Sequence, residues 1–313
     1  MSKSLKATIP LLILLFAATA EASFASLSEM IQRLTLGTLY DSNGNPLPVG
    51  TDPNSPQVGW KLVNDLTPES AMFKSIGQFR YDIGDNRVAL CSATFIDANG
   101  SDDSPAYALS AGHCFQRPLL PNEYAADEPA PPNAVLRLND FVTSQPVEFP
   151  VTQIAYATEH ASDVLIMKLG VSVAQVKEAG FTPIKISNEL PQEGDPIVMA
   201  GVPSEKMANA SIRLHSENCE VASLEDESET ITNASTKSPY TLRPAIRYTC
   251  STVGGDSGSP LISQNSHEIV GVVHGEPAVG TNSNIATRVT DIPGCFDARG
   301  IFDLTLQTCH LPN

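Results

Sequence analysis

An all-β domain, folded as a barrel or a sandwich, is what this chain predicts, and three observations carry that expectation. Short runs rich in Val, Ile, Leu, Phe and Tyr recur from Phe73 onward, each of strand rather than helix length. Gly, Pro, Asn and Asp punctuate those runs, which is the chemistry of tight turns. The texture continues to about Val289, and many short strands separated by turns indicate an all-β architecture. Composition agrees: 42% of the 313 residues are hydrophobic and 17% charged, so a substantial globular core is available. The formal net charge of −16 has the wrong sign for phosphate backbones or anionic lipid, which excludes nucleic acid as a partner.

Residues 1–22 read as a signal peptide. Lys3 and Lys6 precede an apolar run over 9–16, and Ala20-Glu21-Ala22 puts small residues where a signal peptidase reads, with cleavage expected before Ser23. The run is too short to span a bilayer comfortably, so no membrane association is expected once it is removed. Residues 23–65 differ in texture from the β-rich remainder of the chain. Leu27, Met30, Ile31 and Leu34 fall at helical spacing, Gly37 is placed to end that helix, and 41–56 is turn and linker chemistry. This segment is either a pro-segment removed on maturation or an N-terminal extension packed on the main domain.

The main domain is expected over 66–290. Its strands are expected at 76–81, 88–96, 107–110, 134–138, 147–155 and 164–169, then at 197–200, 211–221, 245–249, 260–263, 269–274 and 284–289. Residues 115–133, rich in Pro and acidic side chains, read as an exposed loop insertion. Residues 291–313 form a C-terminal tail with two of the six cysteines, Cys295 and Cys309. The other four are Cys91, Cys114, Cys219 and Cys250. An even number behind a signal peptide fits disulfides in an oxidising, extracellular or periplasmic compartment, and no Cys-x-x-Cys pair points to zinc or redox use. Asn99, Asn209 and Asn233 sit in glycosylation sequons.

Chemistry concentrates at Gly254-Gly255-Asp256-Ser257-Gly258-Ser259-Pro260. Glycines let the backbone come close to a ligand, so two neighbouring N–H groups can converge on one spot beside the Ser257 hydroxyl. Serine is a poor nucleophile alone and needs a base and a group to orient that base. His113, in Leu109-Ser110-Ala111-Gly112-His113-Cys114, stands apart from the other five histidines because a cysteine follows it directly. Asp163 opens the apolar strand Val164-Leu165-Ile166, where a carboxylate can be buried against an imidazole. A single histidine or strand-start aspartate is usually structural. The order changes that, because His113, Asp163 and Ser257 are separated by 50 and 94 residues, against about 45 and 93 in the Ser-His-Asp template of chymotrypsin-type enzymes.

Through Ser110-Ala111-Gly112-His113-Cys114, Asp163-Val164-Leu165-Ile166 and Gly255-Asp256-Ser257-Gly258-Ser259-Pro260, the chain resembles serine endopeptidases of the chymotrypsin/trypsin superfamily. The resemblance implies two packed antiparallel β-barrels with the active site in the cleft between them. It implies peptide and protein substrates, a Ser257 nucleophile, a His113 base, an orienting Asp163, and an oxyanion hole made by the amides of Gly255 and Ser257. No metal or organic cofactor is needed. It implies a Cys91–Cys114 bridge beside the histidine, the one pairing that a motif match carries among the fifteen that six cysteines allow; Cys219 and Cys250, which bracket the segment running into the Ser257 loop, are expected to pair, and Cys295 with Cys309 in the tail. The rival function is a catalytically silent homologue that uses the fold for binding, and an esterase or other acyl transferase is a third reading.

The departures concern activation and specificity. The Arg/Lys-Ile-Val-Gly-Gly activation site of trypsin-like zymogens is absent, although Asp256 stands where it would pair with a freed amine. Ser251 takes the place of the aspartate that binds Arg or Lys side chains in trypsin-like enzymes, six residues before the serine. Ser-Gly-Ser-Pro at the nucleophile and a histidine in the strand 269–275 resemble bacterial glutamyl endopeptidases, which carry that histidine one position earlier. Ser251, Thr252 and His274 are therefore candidates to line a polar or acid-tolerant substrate pocket. The other reading of His274 is a hydrogen bond near Asp163.

Overall fold

The computed structural model describes residues 38–40, 48, 60–63, 68–85, 87–117, 119–120, 123–141, 144–159, 161–202, 215–225, 229–232, 239–242, 245–250, 252, 255–275 and 284–312. The signal peptide expected over 1–22 and the helix expected over 27–34 lie outside them, as do Ser251 and Gly254. Two short strands come first, β1 (Thr38–Tyr40) and β2 (Trp60–Leu62). Next come β3 (Ile76–Asp82), β4 (Val88–Ile96), β5 (Pro105–Ser110), β6 (Tyr124–Pro129), β7 (Val135–Leu138), β8 (Val147–Thr158) and β9 (Val164–Ser172). A one-and-a-half-turn helix, Val173–Glu178, leads out of β9, its N-terminus held by a capping box between Ser172 and Gln175. The second half contains β10 (Pro196–Gly201), β11 (His215–Glu225), β12 (Glu229–Thr232), β13 (Pro239–Leu242), β14 (Ala245–Tyr248), β15 (Pro260–Ser263), β16 (Ile269–Gly275) and β17 (Asn284–Arg288).

These strands form two closed six-stranded antiparallel barrels. The first runs β8-β7-β3-β4-β5-β9 and closes through β8–β9; the second runs β11-β10-β15-β16-β17-β14 and closes through β11–β14. Closure removes the free edges that an open sheet would expose. The first half of β8 alternates, with Phe149 and Val151 buried and Glu148, Pro150 and Thr152 exposed, as a strand with one wet face must. From Ile154 to Thr158 every residue is buried, and so are Val164–Met167 of β9. At Tyr156 the C-terminal tail covers the strand, through Phe302 and Pro312.

The tail leaves β17 through a 3-10 turn, Pro293–Cys295, and returns to the first barrel. Tyr107 meets Phe296 edge-on at 5.2 Å, Phe302 lies 6.0 Å from Tyr156, and the Tyr156 hydroxyl donates to Pro312 O at 2.5 Å. The Ser104 hydroxyl donates to Arg299 O at 2.6 Å. Cys295–Cys309 closes this loop, Cys219–Cys250 ties β11 to the approach to the Ser257 loop, and Cys91–Cys114 ties β4 to the turn after β5. Replacing Cys295 and Cys309 by serine is expected to cost about 2–4 kcal/mol, the usual value for a loop of this size. A guanidinium unfolding midpoint unchanged from wild type would show that the aromatic contacts hold the tail unaided.

All twelve barrel strands fall where short apolar runs placed them; β11 runs on to Glu225, four residues beyond its expected end, and 211–214 lie outside the described residues. Residues 115–133 are not all loop, since β6 pairs antiparallel with β8 on the outside of the first barrel. Residues 38–40 and 60–62 of the N-terminal segment also join the second sheet, Leu62 opposite His215. No helix among the described residues is long and apolar enough to cross a membrane.

Candidate active site

His113 is placed by a tight 3-10 turn, Gly112–Cys114, at the end of β5. Gly112 makes the approach possible: a Cβ there would run into the Thr158 carbonyl and lie 2.9 Å from Val164 N. Those atoms belong to β8 and β9, whose connection carries Asp163. The absence of one side chain therefore brings the histidine turn against the aspartate. Cys114, bridged to Cys91, fixes the far side of the turn.

Asp163 is fully buried, and its own N–H donates to Thr287 Oγ1 of β17 at 3.1 Å, a bond from one barrel to the other. Its Oδ1 accepts the His113 backbone N–H at 2.7 Å, and its Oδ2 accepts His113 Nδ1–H at 2.7 Å. The same Oδ2 also accepts from His274 Nδ1 in a short hydrogen bond. The two imidazoles stand edge to face, 4.9 Å apart at 71°. An ionised carboxylate only accepts, so both rings carry hydrogen on Nδ1, and neutral His113 keeps its lone pair on Nε2. Burial alone would push the Asp163 carboxyl up. The charges and hydrogen bonds of His113 and His274 overcome that and hold it well below the carboxylate range. Burial likewise disfavours a charged His113, but Asp163, with a smaller contribution from Glu159, wins and raises its pKa above the ordinary value.

His274 reaches Asp163 through a strand irregularity. The pairing of β16 with β17 shifts register between Val273 and Gly275, so His274 falls at a bulge, a device that re-aims a side chain next to a site. The His274 carbonyl accepts the Ser257 hydroxyl at 3.1 Å. Of its two expected roles, the hydrogen bond to Asp163 is the one its geometry displays. Thr252 Oγ1 is buried with no hydrogen-bond partner among the described residues.

Ser257 lies in the loop between β14 and β15. Gly258, at φ +87°, donates its N–H to Val273 O at 2.9 Å, and Val273 N–H returns a bond to Ser259 O at 2.8 Å. From the other barrel, Ser92 of β4 donates its N–H to Ser257 O at 2.8 Å and to Gly255 O at 3.1 Å, and its hydroxyl to Gly255 O at 3.0 Å. These bonds hold the carbonyls of the loop. Among the described residues, neither the Gly255 nor the Ser257 amide donates a hydrogen bond elsewhere. A Cβ on Gly258 would collide with Ser92 O and Ser110 Oγ. Gly258→Ala is therefore expected to destabilise the fold by about 2 kcal/mol or more, combining the unfavourable φ with overpacking. A melting temperature equal to wild type would refute that reading of the turn.

The structure thus brings His113, Asp163, His274 and Ser257 together, with Asp256 fully buried behind the loop beside Gly201. Ser92 and Thr287 were not foreseen. The one available signal for Ser92 is a small polar residue beside a half-cystine in a mostly apolar strand. The trypsin-like peptidase domain family matches residues 91–272. Among solved structures, the active form of the Rv3671c protease from M. tuberculosis aligns with a TM-score of 0.50 at 16% identity, over 78% of this chain and 86% of its own. Neuropsin, a serine protease expressed in the limbic system of mouse brain, aligns at 0.46 and 16% identity, over 72% of this chain and 93% of its own. At 16% identity the likeness to the Rv3671c protease is one of fold. No curated protein sequence matches.

Proposed function

Because this chain belongs to the trypsin-like peptidase domain family, we propose that it is a secreted serine endopeptidase working through Ser257, His113, Asp163 and an acyl-enzyme intermediate. The observation that carries this reading is the double hold of one buried carboxylate on His113, through its backbone N–H and its ring Nδ1–H, both at 2.7 Å. That arrangement presents the basic Nε2 away from Asp163. In the free enzyme the Ser257 hydroxyl rests on His274 O. For attack its proton turns to His113 Nε2, and Oγ adds to the substrate carbonyl carbon.

The negative charge that then forms on the carbonyl oxygen is met by the amides of Gly255 and Ser257. Each such donor contributes roughly 3–4 kcal/mol in comparable sites. His113, now an imidazolium stabilised by Asp163, hands its proton to the leaving amine, and water repeats the cycle on the acyl-enzyme. The signal peptide over 1–22 and three disulfides support secretion. The test is covalent labelling by an organophosphonate together with cleavage of a peptide amide. Both are expected in the wild type and neither in Ser257→Ala. A label that persists in that variant would overturn the assignment.

A further inference from the structure

A base oriented by one carboxylate needs one imidazole, and this carboxylate holds two. His113 Nδ1 and His274 Nδ1 end on the same Asp163 Oδ2, and one ligand atom from each of the three side chains lies within 4.8 Å of the other two. The three come from separate places in the chain: the turn after β5, the start of β9 and the end of β16. Two imidazole nitrogens and one carboxylate oxygen make up a familiar three-ligand zinc set, which leaves a fourth position for water. The set suits divalent transition metals and does not suit Mg²⁺ or Ca²⁺, which take oxygen ligands. The His113 backbone N–H already orients the carboxylate through Oδ1, and the Asp163 backbone N–H is anchored on Thr287 Oγ1. The rings are 24% and 11% exposed, so the cluster is not sealed from solvent.

We propose that His113, Asp163 and His274 form a binding site for a divalent transition-metal ion of the Zn²⁺ class, whose occupancy silences the peptidase. The ion is an inhibitor here, not a cofactor. Binding takes the Nδ1 lone pair of each ring, and each neutral imidazole moves its hydrogen from Nδ1 to Nε2, so no proton is released or consumed. The rings draw back a little from the carboxylate, because ligands around a tetrahedral ion stand about 3.3 Å apart, farther than hydrogen-bonded atoms. His113 Nε2 then carries a hydrogen and cannot accept the one from Ser257. The silencing rests on the function proposed above; the binding does not.

The two are separated by measuring binding on the Ser257→Ala protein, stripped of metal by a chelator. Isothermal titration with ZnCl₂ is expected to show one ion per chain, and MgCl₂ none. His274→Asn in that background keeps an amide that can donate to Asp163 but loses the ligand, and should weaken Zn²⁺ binding by at least about 10–100-fold. Should that variant fail to fold by circular dichroism, imidazole NMR of Ser257→Ala alone decides. One equivalent of Zn²⁺ should abolish the two low-field Nδ1–H signals. In the active enzyme ZnCl₂ should stop peptide cleavage and EDTA should restore it. No binding, equal binding in the two proteins, or Nδ1–H signals that survive Zn²⁺ overturns the site. Binding by a wild type that cleaves no peptide would instead overturn the proposed function and leave the site standing.

Discussion

Replacing Ser257 by alanine is expected to lower kcat for a peptide amide by about 10⁵–10⁶-fold, as loss of the nucleophile does in other Ser-His-Asp enzymes. Only the bond-making atom is removed. The Gly255 and Ser257 amides remain, because the Ser92 bonds to the loop go to the carbonyls of these residues and not to side chains. Residual catalysis of about 10³–10⁴-fold over water should therefore survive. The fold should survive too, since the Ser257 hydroxyl makes one hydrogen bond, to His274 O, worth about 1 kcal/mol. Rates with a chromogenic peptide amide, beside a thermal melt of the same preparation, check both halves. A variant with more than a tenth of wild-type activity would remove Ser257 from the mechanism. A variant that melts far below wild type would show that the hydroxyl holds the loop.

Much of this fold can be read from the chain because barrel strands announce themselves locally. Ile197-Val198-Met199-Ala200 or Val164-Leu165-Ile166 can hardly be anything but buried strand. The strand β6 could not be read that way. It carries Asp127, Glu128 and Pro129 and lies outside the closed barrel, where charges reach water and a proline costs no central ladder bond.

The site divides along the same line. The order of His113, Asp163 and Ser257 survives in one dimension. What supports them does not. Ser92 and Gly255 are 163 residues apart, and Asp163 and Thr287 are 124 apart. A hydroxyl acquires its meaning there only when two barrels meet. His274 is the sharpest case. Its strand was legible, but its direction depends on a register shift against β17, and residue types alone do not specify a bulge.

That shared carboxylate also makes Asp163→Asn the most discriminating single substitution after Ser257→Ala, with an expected fall in kcat of about 10⁴-fold and little change in KM. An asparagine of the same size has one acceptor oxygen and one donor NH₂. If the oxygen keeps the His113 backbone N–H, the NH₂ replaces Oδ2 and faces two ring nitrogens that both carried hydrogen. Each ring must then present a bare Nδ1, which moves the hydrogen of His113 to Nε2, the wrong tautomer for a base. If the amide turns over, the NH₂ meets the His113 backbone N–H instead, and the turn Gly112–Cys114 is pushed from its seat. Either outcome disables His113 while Ser257 and Gly255 are untouched. The loss should therefore appear in kcat and not in KM. Asp163→Asn should add almost nothing to the defect of Ser257→Ala, because a base without a nucleophile has nothing to activate. Additive losses in the double variant would mean that the two residues act independently, and that the reading of Asp163 as the orienter of His113 is wrong.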